Sequence, residues 1–490
     1  MSKITFLGAG STVFAKNVLG DAMLLDSLHE TEISLYDIDP QRLDDSQQLI
    51  DALNRSCNQG RAIVNAHLGQ EQRQKALAHA DYVVNAVQIG GYEPCTVTDF
   101  EVPKKYGLEQ TIGDTLGIGG IFRSLRTIPA MLDIARDMEA VCPDAWLLNY
   151  TNPMAMITGS ILRGSSVKTV GLCHSVQGCA GWLVRMLGLQ DKFPPPELQW
   201  EIAGINHQAW LLSISHDGVD IYPEVKETAR TLIAEFDRLG GGTWMREMAG
   251  RLGVPEDAPC YNISGKMRKA AAEGKVSDEE FLLSRVGHDR VRLELMLRFG
   301  YYVTESSEHS AEYVPWIIKQ GREDLLDKFV VPLDEYPRRC REQIASWAKQ
   351  REKLLANSEV KHRPTREFGA YIMDAIERDA PFRIAGNVMN DNLITNLPRK
   401  ACVEVPCLVD RNGVQPTVVG DLPEQCAALN RTNINPQIMT IEAALSGRKD
   451  YVYQAALLDP HTSAELSIDD TVSLCDDMIA AHGDWLPPLE

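Results

Sequence analysis

The side chains best suited to chemistry in this sequence follow three short hydrophobic runs between Pro143 and His207. The runs LL, KTVGL and WEIAGI are each followed by polar residues: Asn149 and Asn152, Cys173 and His174, and Asn206 and His207. Because α/β proteins bind ligands beyond the carboxyl ends of buried strands, we expect these side chains to lie near a ligand. A thiol and an imidazole that meet there could share one metal ion.

Cys173 and His207 are the candidate metal ligands, although each also has a simpler interpretation. Free cysteine is a common core residue, and His174 and His207 could be core or capping histidines. Placed together at the ends of adjacent strands, Cys173 and His207 predict a divalent-metal site. Two protein ligands leave coordination positions open for substrate hydroxyl groups, as a catalytic site requires.

The elements that position these residues are predicted by an alternation of strands and helices. Over the first 90 residues the strands KITFLG, EISLYDID, AIVNAH and YVVNAV alternate with helical segments. This alternation predicts a parallel sheet with right-handed crossovers, and it continues to about Trp210. Residues from about 222 to 360 are mostly helical and charged. Within them, Gly240–Lys275 has little periodicity and could form a lobe or an oligomer contact, whereas Gln88–Gly120 is rich in loop residues.

A glycine-rich turn directly after the first strand predicts a dinucleotide site. Candidate cofactor-binding residues there are Gly8, Gly10, Ser11 and Thr12, joined by Asp37 at the end of the second strand. Glycines let backbone N–H groups approach a pyrophosphate at a helix N-terminus, although Val13 replaces the usual third glycine. The Asp37 carboxylate could bind both ribose hydroxyls and would repel a 2′-phosphate, which favours NAD over NADP. The alternative is a tight turn with a helix-capping aspartate.

Composition excludes several classes of partner. The 490 residues include 49 Lys and Arg against 68 Asp and Glu, a net charge of −19, which disfavours nucleic acid and anionic membrane surfaces. The sequence has no apolar run of membrane-spanning length and begins directly with a strand, so we expect no signal peptide. Eleven irregularly spaced cysteines are interpreted as reduced thiols of a cytoplasmic protein.

Several long motifs, in order along nearly the whole chain, resemble those of glycoside hydrolase family 4. They include LGAGST, AVQIGGYEP, QTIGDTLGIGGI, PDAWLLNYTNP, GINH, GYYVTESSEHSAEY and CVEVPCLVDRNGVQPTVVG. The run Cys-His-Ser that begins at Cys173 is similar to the α-galactosidase (melibiase) branch of that family. The resemblance implies two domains: a Rossmann-type NAD-binding domain at residues 1–195, then a lactate/malate-dehydrogenase-like α+β domain at residues 196–490. The second would carry catalytic, substrate and oligomerisation contacts.

The chemistry that the resemblance implies departs from that of glycosidases with two carboxylates. NAD would take a hydride from carbon 3 of the sugar, and a divalent metal, usually manganese in this family, would polarise the resulting ketone. A base would remove the carbon 2 proton, the aglycone would be eliminated from carbon 1, and water and the hydride would then add back. NAD is therefore recycled.

The resemblance also implies roles for individual residues. Cys173 and His207 match the metal ligands, and Asn152 matches an asparagine that contacts sugar hydroxyls, with Asn149 beside it. His174 stands where some branches carry a general acid, and its ordinary pKa suits proton donation. The base is assigned to His309, with Tyr302 and Tyr313 as alternatives, because other branches use a tyrosine in this segment.

The substrate is predicted to be an unphosphorylated α-galactoside such as melibiose. The loop Gly90–Cys95 has no basic residue to bind a phosphate, and Asp99 and Asp114 would repel one and could bind sugar hydroxyls. An α-galacturonidase would need a basic contact, which Arg123, Arg126 or the 240–290 segment could provide. An α-glucosidase is a further alternative.

Two other classes of function stay open from the residues alone. A lactate- or malate-type NAD dehydrogenase shares the expected fold but needs no metal and clamps a carboxylate with arginines. A module that binds NAD or sugar without catalysis would not need Cys173 or His207. The helical, charged C-terminal half would suit a homodimer or homotetramer.

Overall fold

The computed structural model describes residues 1–255, 257–355 and 360–490. Its strands are β1 Lys3–Leu7, β2 Glu32–Asp37, β3 Ile63–Leu68, β4 Tyr82–Asn85, β5 Trp146–Asn149, β6 Lys168–Gly171, β7 Gln199–Ile205, β8 Gln208–His216, β9 Val219–Asp220, β10 Tyr302–Val303, β11 Phe382–Met389, β12 Cys402–Asp410 and β13 Gly413–Pro416.

Helices separate and follow these strands. The helices up to residue 200 are α1 Thr12–Leu24, α2 Pro40–Asn58, α3 Arg73–Leu77, α4 Val97–Lys104, α5 Gly117–Val141, α6 Met154–Gly164 and α7 Ser175–Met186. The later helices are α8 Tyr222–Arg238, α9 Gly241–Arg251, α10 Cys260–Ala272, α11 Asp278–His288, α12 Arg290–Phe299, α13 Ser307–Glu312, α14 Glu323–Phe329, α15 Glu335–Leu355, α16 Phe368–Arg378, α17 Glu424–Ser446, α18 Lys449–Leu458, α19 Thr462–Glu465 and α20 Ile468–His482.

The N-terminal strands form a parallel sheet in the order β3-β2-β1-β4-β5-β6. This is the strand order of a doubly wound dinucleotide-binding fold. The sheet continues beyond β6 through the antiparallel strands β11, β12, β7, β8 and β10. The predicted fold class is confirmed: a Rossmann-type α/β half is followed by an α+β half. The domain boundary predicted between residues 195 and 196 stays a prediction, since one continuous sheet spans both halves.

Alternating residues of the short central strands are buried on opposite faces of the sheet. Val84 and Leu148 belong to the large apolar cluster that includes α1 and α2. Their neighbours Val83 and Leu147 belong to a second cluster that includes α3, α5 and α6. Burial on both faces explains why these strands appear in the sequence as continuous hydrophobic runs.

Two segments differ from the prediction of irregular structure. Gly240–Lys275 contains α9 and α10, and the apolar side chains of these helices pack together with Val276 in a small cluster. The helical pattern is short and interrupted by glycines and by VPEDAP, so the sequence shows little periodicity. Within Gln88–Gly120 the chain forms helix α4 and a π-helical turn at Gly91–Thr96. None of the helices in the described parts of the chain combines the length and hydrophobicity of a bilayer span.

Candidate active site

The glycine-rich turn after β1 is packed too closely for side chains. Gly8 has φ of +79°, and a Cβ atom there would lie 2.7 Å from the carbonyl oxygen of Ala86. A Cβ atom at Gly10 would lie 2.8 Å from Oδ2 of Asp37. The Asp37 carboxylate accepts hydrogen bonds from the backbone N–H groups of Gly10 (2.6 Å) and Asp39 (2.9 Å). The predicted ribose ligand thus lies directly against the turn that would hold a pyrophosphate.

A cavity of about 270 Å³ lies at the carboxyl ends of the parallel strands, beside this turn. Ser11 and Phe14 of the nucleotide end line it together with Asp114, Asn152 and His174. Thr12 is absent from this lining, since its hydroxyl group is buried against the Ser46 hydroxyl at 2.9 Å. The cavity therefore connects the predicted nucleotide residues with predicted substrate and catalytic residues.

Three potential metal ligands, Cys173, His207 and Glu305, converge beside this cavity. Their ligand atoms all lie within 4.8 Å of one another. Nε2 of His207 lies 3.5 Å from Oε2 of Glu305, and Nδ1 lies 3.2 Å from the Tyr313 hydroxyl. A thiol, an imidazole and a carboxylate are a donor set that binds divalent transition metals. The structure therefore brings the two predicted ligands together and adds a third, Glu305.

Glu305 reaches the site through strand pairing between distant parts of the sequence. His207 lies in the two-residue turn between β7 and β8, with φ of +65°. β10 pairs antiparallel with the start of β8, so that Val303 lies opposite Trp210 and the next residues approach the turn. The signal available in the sequence was a run of polar residues, TESSEH, directly after a short apolar strand.

Cys173 and His207 are not on adjacent strands, contrary to the prediction. β11 and β12 lie between β6, which precedes Cys173, and β7, which precedes His207. Both inserted strands come from the C-terminal half of the chain, and no local pattern near residue 170 indicates where they enter the sheet. β7 runs opposite to β6, but Gly171 near the end of β6 and Gly204 near the end of β7 lie in one row across the sheet, joined by Asn387 and Glu404. The residues that follow the two strands therefore still converge.

The electrostatics of the triad suit a bound cation. Burial raises the pKa of the Cys173 thiol, and the nearby carboxylates of Glu404 and Glu305 raise it further. Burial also opposes ionisation of Glu305, but His207 and His309 outweigh it and hold the pKa of Glu305 below its ordinary value. A divalent cation bound here would lower the pKa of the Cys173 thiol, because coordination favours the thiolate. The residues present therefore fit a metal ion.

His309, the predicted base, lies next to the triad. Its ring centroid lies 4.9 Å from that of His207, and its Nε2 lies 3.7 Å from Oδ1 of Asp114. Its Nδ1 lies 2.9 Å from the Ser306 hydroxyl. Burial opposes ionisation of Asp114, but His309 and Arg123 outweigh it and keep the pKa of this carboxyl below its ordinary value. Asp114, which lines the cavity, is thus next to His309, and His309 in turn packs against His207.

Tyr302, an alternative base, is turned away from the cavity. Its side chain is fully buried, its hydroxyl donates to Asp289, and the Arg292 guanidinium lies 4.2 Å from the ring centroid. Burial raises its pKa well above the ordinary value. The geometry therefore places Tyr302 in the structural support of the site, while the Tyr313 hydroxyl contacts the ring of His207.

His174 lies at the mouth of the site, where one ring nitrogen faces a carboxylate. Its Nδ1 is 2.9 Å from Oε2 of Glu367, and its ring packs against Phe14 and Tyr150. Burial lowers the pKa of His174, but the hydrogen bond and charge of Glu367 outweigh it, so the pKa is raised. Glu367 was not a candidate in the sequence, since it lies in the segment before α16 with no chemical motif around it.

The two predicted asparagines have different surroundings. Asn152 lines the cavity and is only partly buried. Asn149 is completely buried: its amide donates to the Thr158 hydroxyl at 3.1 Å and accepts from Asn85 at 2.8 Å. Asn149 therefore holds the strand ends β4 and β5 together and does not reach the cavity.

Asp99 does not face the cavity either, contrary to its predicted role in sugar binding. Its carboxylate accepts two hydrogen bonds from Arg126, at 3.0 and 2.6 Å, and lies 2.9 Å from Nε2 of His482. All three groups are buried. Because Arg126 is bound to Asp99, it is not available to a substrate. Arg123, in contrast, lines the cavity and donates a hydrogen bond to the Tyr336 hydroxyl at 3.2 Å.

The fold and this site agree with the sequence family that the chain matches. Residues 3–189 match the profile of the family 4 glycosyl hydrolases, and residues 202–462 match that of their C-terminal domain. The chain belongs to this family and is a glycosidase of family 4, as the resemblance implied.

Individual relatives extend over the whole chain. An α-galactosidase of Bacillus subtilis (strain 168) is 51% identical over 487 residues, which cover 99% of each protein. An α-galactosidase of Rhizobium meliloti (strain 1021) is 31% identical and covers 99% of this chain and 89% of the relative. A 6-phospho-α-glucosidase from gut microorganisms, solved with NAD and Mn²⁺, has the same fold, with a TM-score of 0.74, 18% identity and full coverage of both chains.

Proposed function

We propose that this glycosidase hydrolyses unphosphorylated α-galactosides such as melibiose, using NAD and a divalent metal, by transient oxidation at carbon 3, elimination and addition of water. The observation that carries the proposal is the triad of Cys173, His207 and Glu305 beside a cavity that begins at the nucleotide turn. Neither feature is needed by glycosidases that use two carboxylates. The α-galactosidase relative at 51% identity supports the choice of sugar.

The chain offers separate places for the two cofactors. Gly8, Gly10 and Ser11 would hold the pyrophosphate of NAD, Asp37 would bind its ribose, and the triad would hold Mn²⁺ or another divalent metal. When bound, NAD supplies a hydride acceptor and the metal supplies a Lewis acid. The relative solved with NAD and Mn²⁺ supports this choice of cofactors.

The protein's own groups would bind the sugar and move its protons. Asn152 would hold sugar hydroxyls at the cavity wall, and His309 would take the carbon 2 proton, with Asp114 stabilising the resulting imidazolium charge. His174, held by Glu367 at 2.9 Å, would donate a proton to the oxygen of the departing aglycone. The contact with Glu367 supports this role, because the carboxylate favours the protonated imidazole that a general acid needs.

A galacturonide is the second candidate substrate, and Arg123 is the observation that favours it. Arg123 lines the cavity, and a guanidinium there could pair with a sugar carboxylate. Asp114 argues for the neutral sugar, because the Asp114 carboxylate lies near Arg123 and already compensates its charge. The other arginine considered, Arg126, is bound by Asp99.

The test is hydrolysis of p-nitrophenyl α-galactoside, with NAD, Mn²⁺ and a thiol reductant each omitted in turn. We expect activity to disappear without NAD or Mn²⁺ and to return when the missing cofactor is added, with no net NADH at 340 nm. Full activity without both would refute the proposed mechanism. Activity only on the matching galacturonide would replace the proposed substrate by the second candidate, and net NADH would indicate a dehydrogenase.

Asp37→Ala should weaken NAD binding about ten- to a hundredfold, since a hydrogen bond to a charged group contributes roughly 1.5–3 kcal/mol. NAD affinity can be measured by isothermal titration calorimetry, with Mn²⁺ binding measured on the same sample and expected to stay unchanged. Asp39→Ala is the matched control, because it removes a nearby carboxylate that caps α2 through Arg42 N–H. Equal NAD affinity in both variants would argue against the ribose role.

The predicted cytoplasmic location and the homodimer or homotetramer remain part of the proposal. Reduced thiols support the first: all eleven cysteines are free, and most are buried. The subunit number can be measured by size-exclusion chromatography with light scattering.

A further inference from the structure

A second, larger cavity of about 510 Å³ opens on the other side of His174, and we refer to it as the outer chamber. His174 lines both cavities, and Glu305 of the triad lines the outer chamber. The remaining walls come from α7, from the starts of α10 and α13, from the residues around the α11–α12 junction and from α15. The chamber therefore adjoins the proposed catalytic centre at His174 and Glu305 but lies away from the nucleotide turn.

We infer that the outer chamber binds the aglycone of the substrate, and that this aglycone is an uncharged hexose stacked on Trp182. The inference rests on the proposed function, since it names the group that leaves from carbon 1. The position supports it, because His174 would then stand between the sugar that reacts and the group that departs. The volume lies within the roughly 300–1,000 Å³ typical of small-molecule sites and leaves room for a pyranose ring with water.

One face of α7 forms the wall nearest the catalytic centre. Its lining residues recur at helical spacing: Ser175, Gly178, Cys179, Trp182, Arg185 and Met186. Trp182 is 43% exposed, so a large part of its indole is accessible. Among the described residues, neither an aromatic ring nor a cation stacks on Trp182, so its face is open to a ligand. The apolar C–H face of a pyranose is a suitable partner for such a ring.

The charges of the chamber favour a neutral occupant. Three arginines (Arg185, Arg292, Arg339) and three carboxylates (Asp289, Glu305, Glu308) line it. Arg292 pairs with Asp289 at 3.0 Å, and Arg339 lies 3.5 Å from Glu308 and 2.8 Å from Glu335. Because the three arginines and three carboxylates of the lining balance one another, an anionic aglycone would gain little net attraction from this chamber, whereas hydroxyl groups can hydrogen-bond to its polar rim.

A group of potential metal ligands in the chamber wall has a structural explanation. Cys260, Glu308 and Glu335 lie within 4.8 Å of one another, as metal ligands would. The Arg339 guanidinium already bonds to both glutamates, and Glu335 also accepts the backbone N–H of Cys260 at 2.9 Å. The Arg339 guanidinium thus takes the place that a metal ion would have. These contacts hold α10 and α15 together in the wall of the chamber.

The test compares melibiose, whose aglycone is glucose, with methyl α-galactoside, whose aglycone is too small to reach Trp182. In Trp182→Ala we expect kcat/KM for melibiose to fall about tenfold, mainly through KM, while kcat/KM for methyl α-galactoside stays within about twofold. Trp182→Phe should restore most of the loss, because it keeps an aromatic face. Trp485→Ala is the matched control: it removes an indole that is 46% exposed and lies outside the chamber.

Three results would overturn the inference. Equal losses on both substrates would mean that Trp182 supports the catalytic centre and not the aglycone. Unchanged melibiose kinetics in Trp182→Ala would mean that the aglycone lies elsewhere. If the wild-type enzyme hydrolysed neither galactoside with NAD and Mn²⁺ present, the proposed function would fail, and the aglycone assignment with it. If the wild-type enzyme hydrolyses both galactosides and the Trp182 variants give either of the first two results, only the aglycone assignment fails. The proposed function then still stands.

Discussion

Replacing Cys173 by serine should lower glycoside hydrolysis at least about a hundredfold and weaken Mn²⁺ binding at the same time. The thiol is one of three ligands whose donor atoms lie within 4.8 Å of one another. A serine hydroxyl is a harder donor and does not ionise at neutral pH, so it cannot replace the thiolate. Loss of even an outer partner of a metal ligand commonly costs ten- to a hundredfold, and loss of the ligand itself should cost more.

Mn²⁺ binding can be followed independently of activity by the electron paramagnetic resonance signal of the free ion. Cys142→Ser is the matched control: it makes the same change at a buried cysteine that belongs to an apolar cluster distant in the fold from the triad. Glu305→Gln should weaken Mn²⁺ binding as well, because it removes the charge of the third ligand. Wild-type Mn²⁺ affinity in Cys173→Ser would show that the triad is not the metal site.

Asp99→Ala should destabilise the protein by about 3–5 kcal/mol, the usual cost of leaving one partner of a buried ion pair uncompensated. The side chain of Arg126 is only 1% exposed and donates two hydrogen bonds to Asp99, which also contacts His482. In the variant, the guanidinium stays buried with no carboxylate. The midpoint of thermal unfolding should therefore fall by several degrees, as measured by scanning calorimetry.

A control for this effect lies on α5, the helix that carries Arg126. Asp133→Ala removes the partner of Arg136, an ion pair whose side chains are 50% and 69% exposed, and should change stability by less than about 1 kcal/mol. The double variant Asp99→Ala, Arg126→Leu should recover part of the lost stability, since no buried charge remains unpaired. If Asp99→Ala unfolds at the wild-type temperature, the pair contributes nothing to stability.

Local patterns were sufficient for the N-terminal sheet and for part of the site. Alternating strands and helices predict parallel strands, and the side chains after such strands lie at one edge because all the strands point the same way. Cys173 and His174 after β6, Asn152 after β5, and the turn after β1 could therefore be predicted as candidate site residues without the structure. Long motifs in order along the chain also identified the family, which the sequence profiles confirm.

The remaining parts of the site depend on contacts between residues far apart in the sequence. Glu305 joins His207 only because β10 pairs with β8, and Glu367 reaches His174 from the segment before α16. Local patterns contain no information about such pairings, since periodicity describes which face of an element is buried and not which element covers it.

The sequence by itself determined the kind of fold, the family, and the residues that follow the parallel strands, because these depend on short-range periodicity and on long motifs. Only the tertiary structure decided which charged groups are free to act. Asp99 and Asp114 are both acidic residues near the same loop-rich segment, yet Asp99 is neutralised by Arg126 while Asp114 faces the cavity beside His309. The difference arises because burial makes an unpaired charge costly, so the three-dimensional position of each partner decides which carboxylate is available for chemistry.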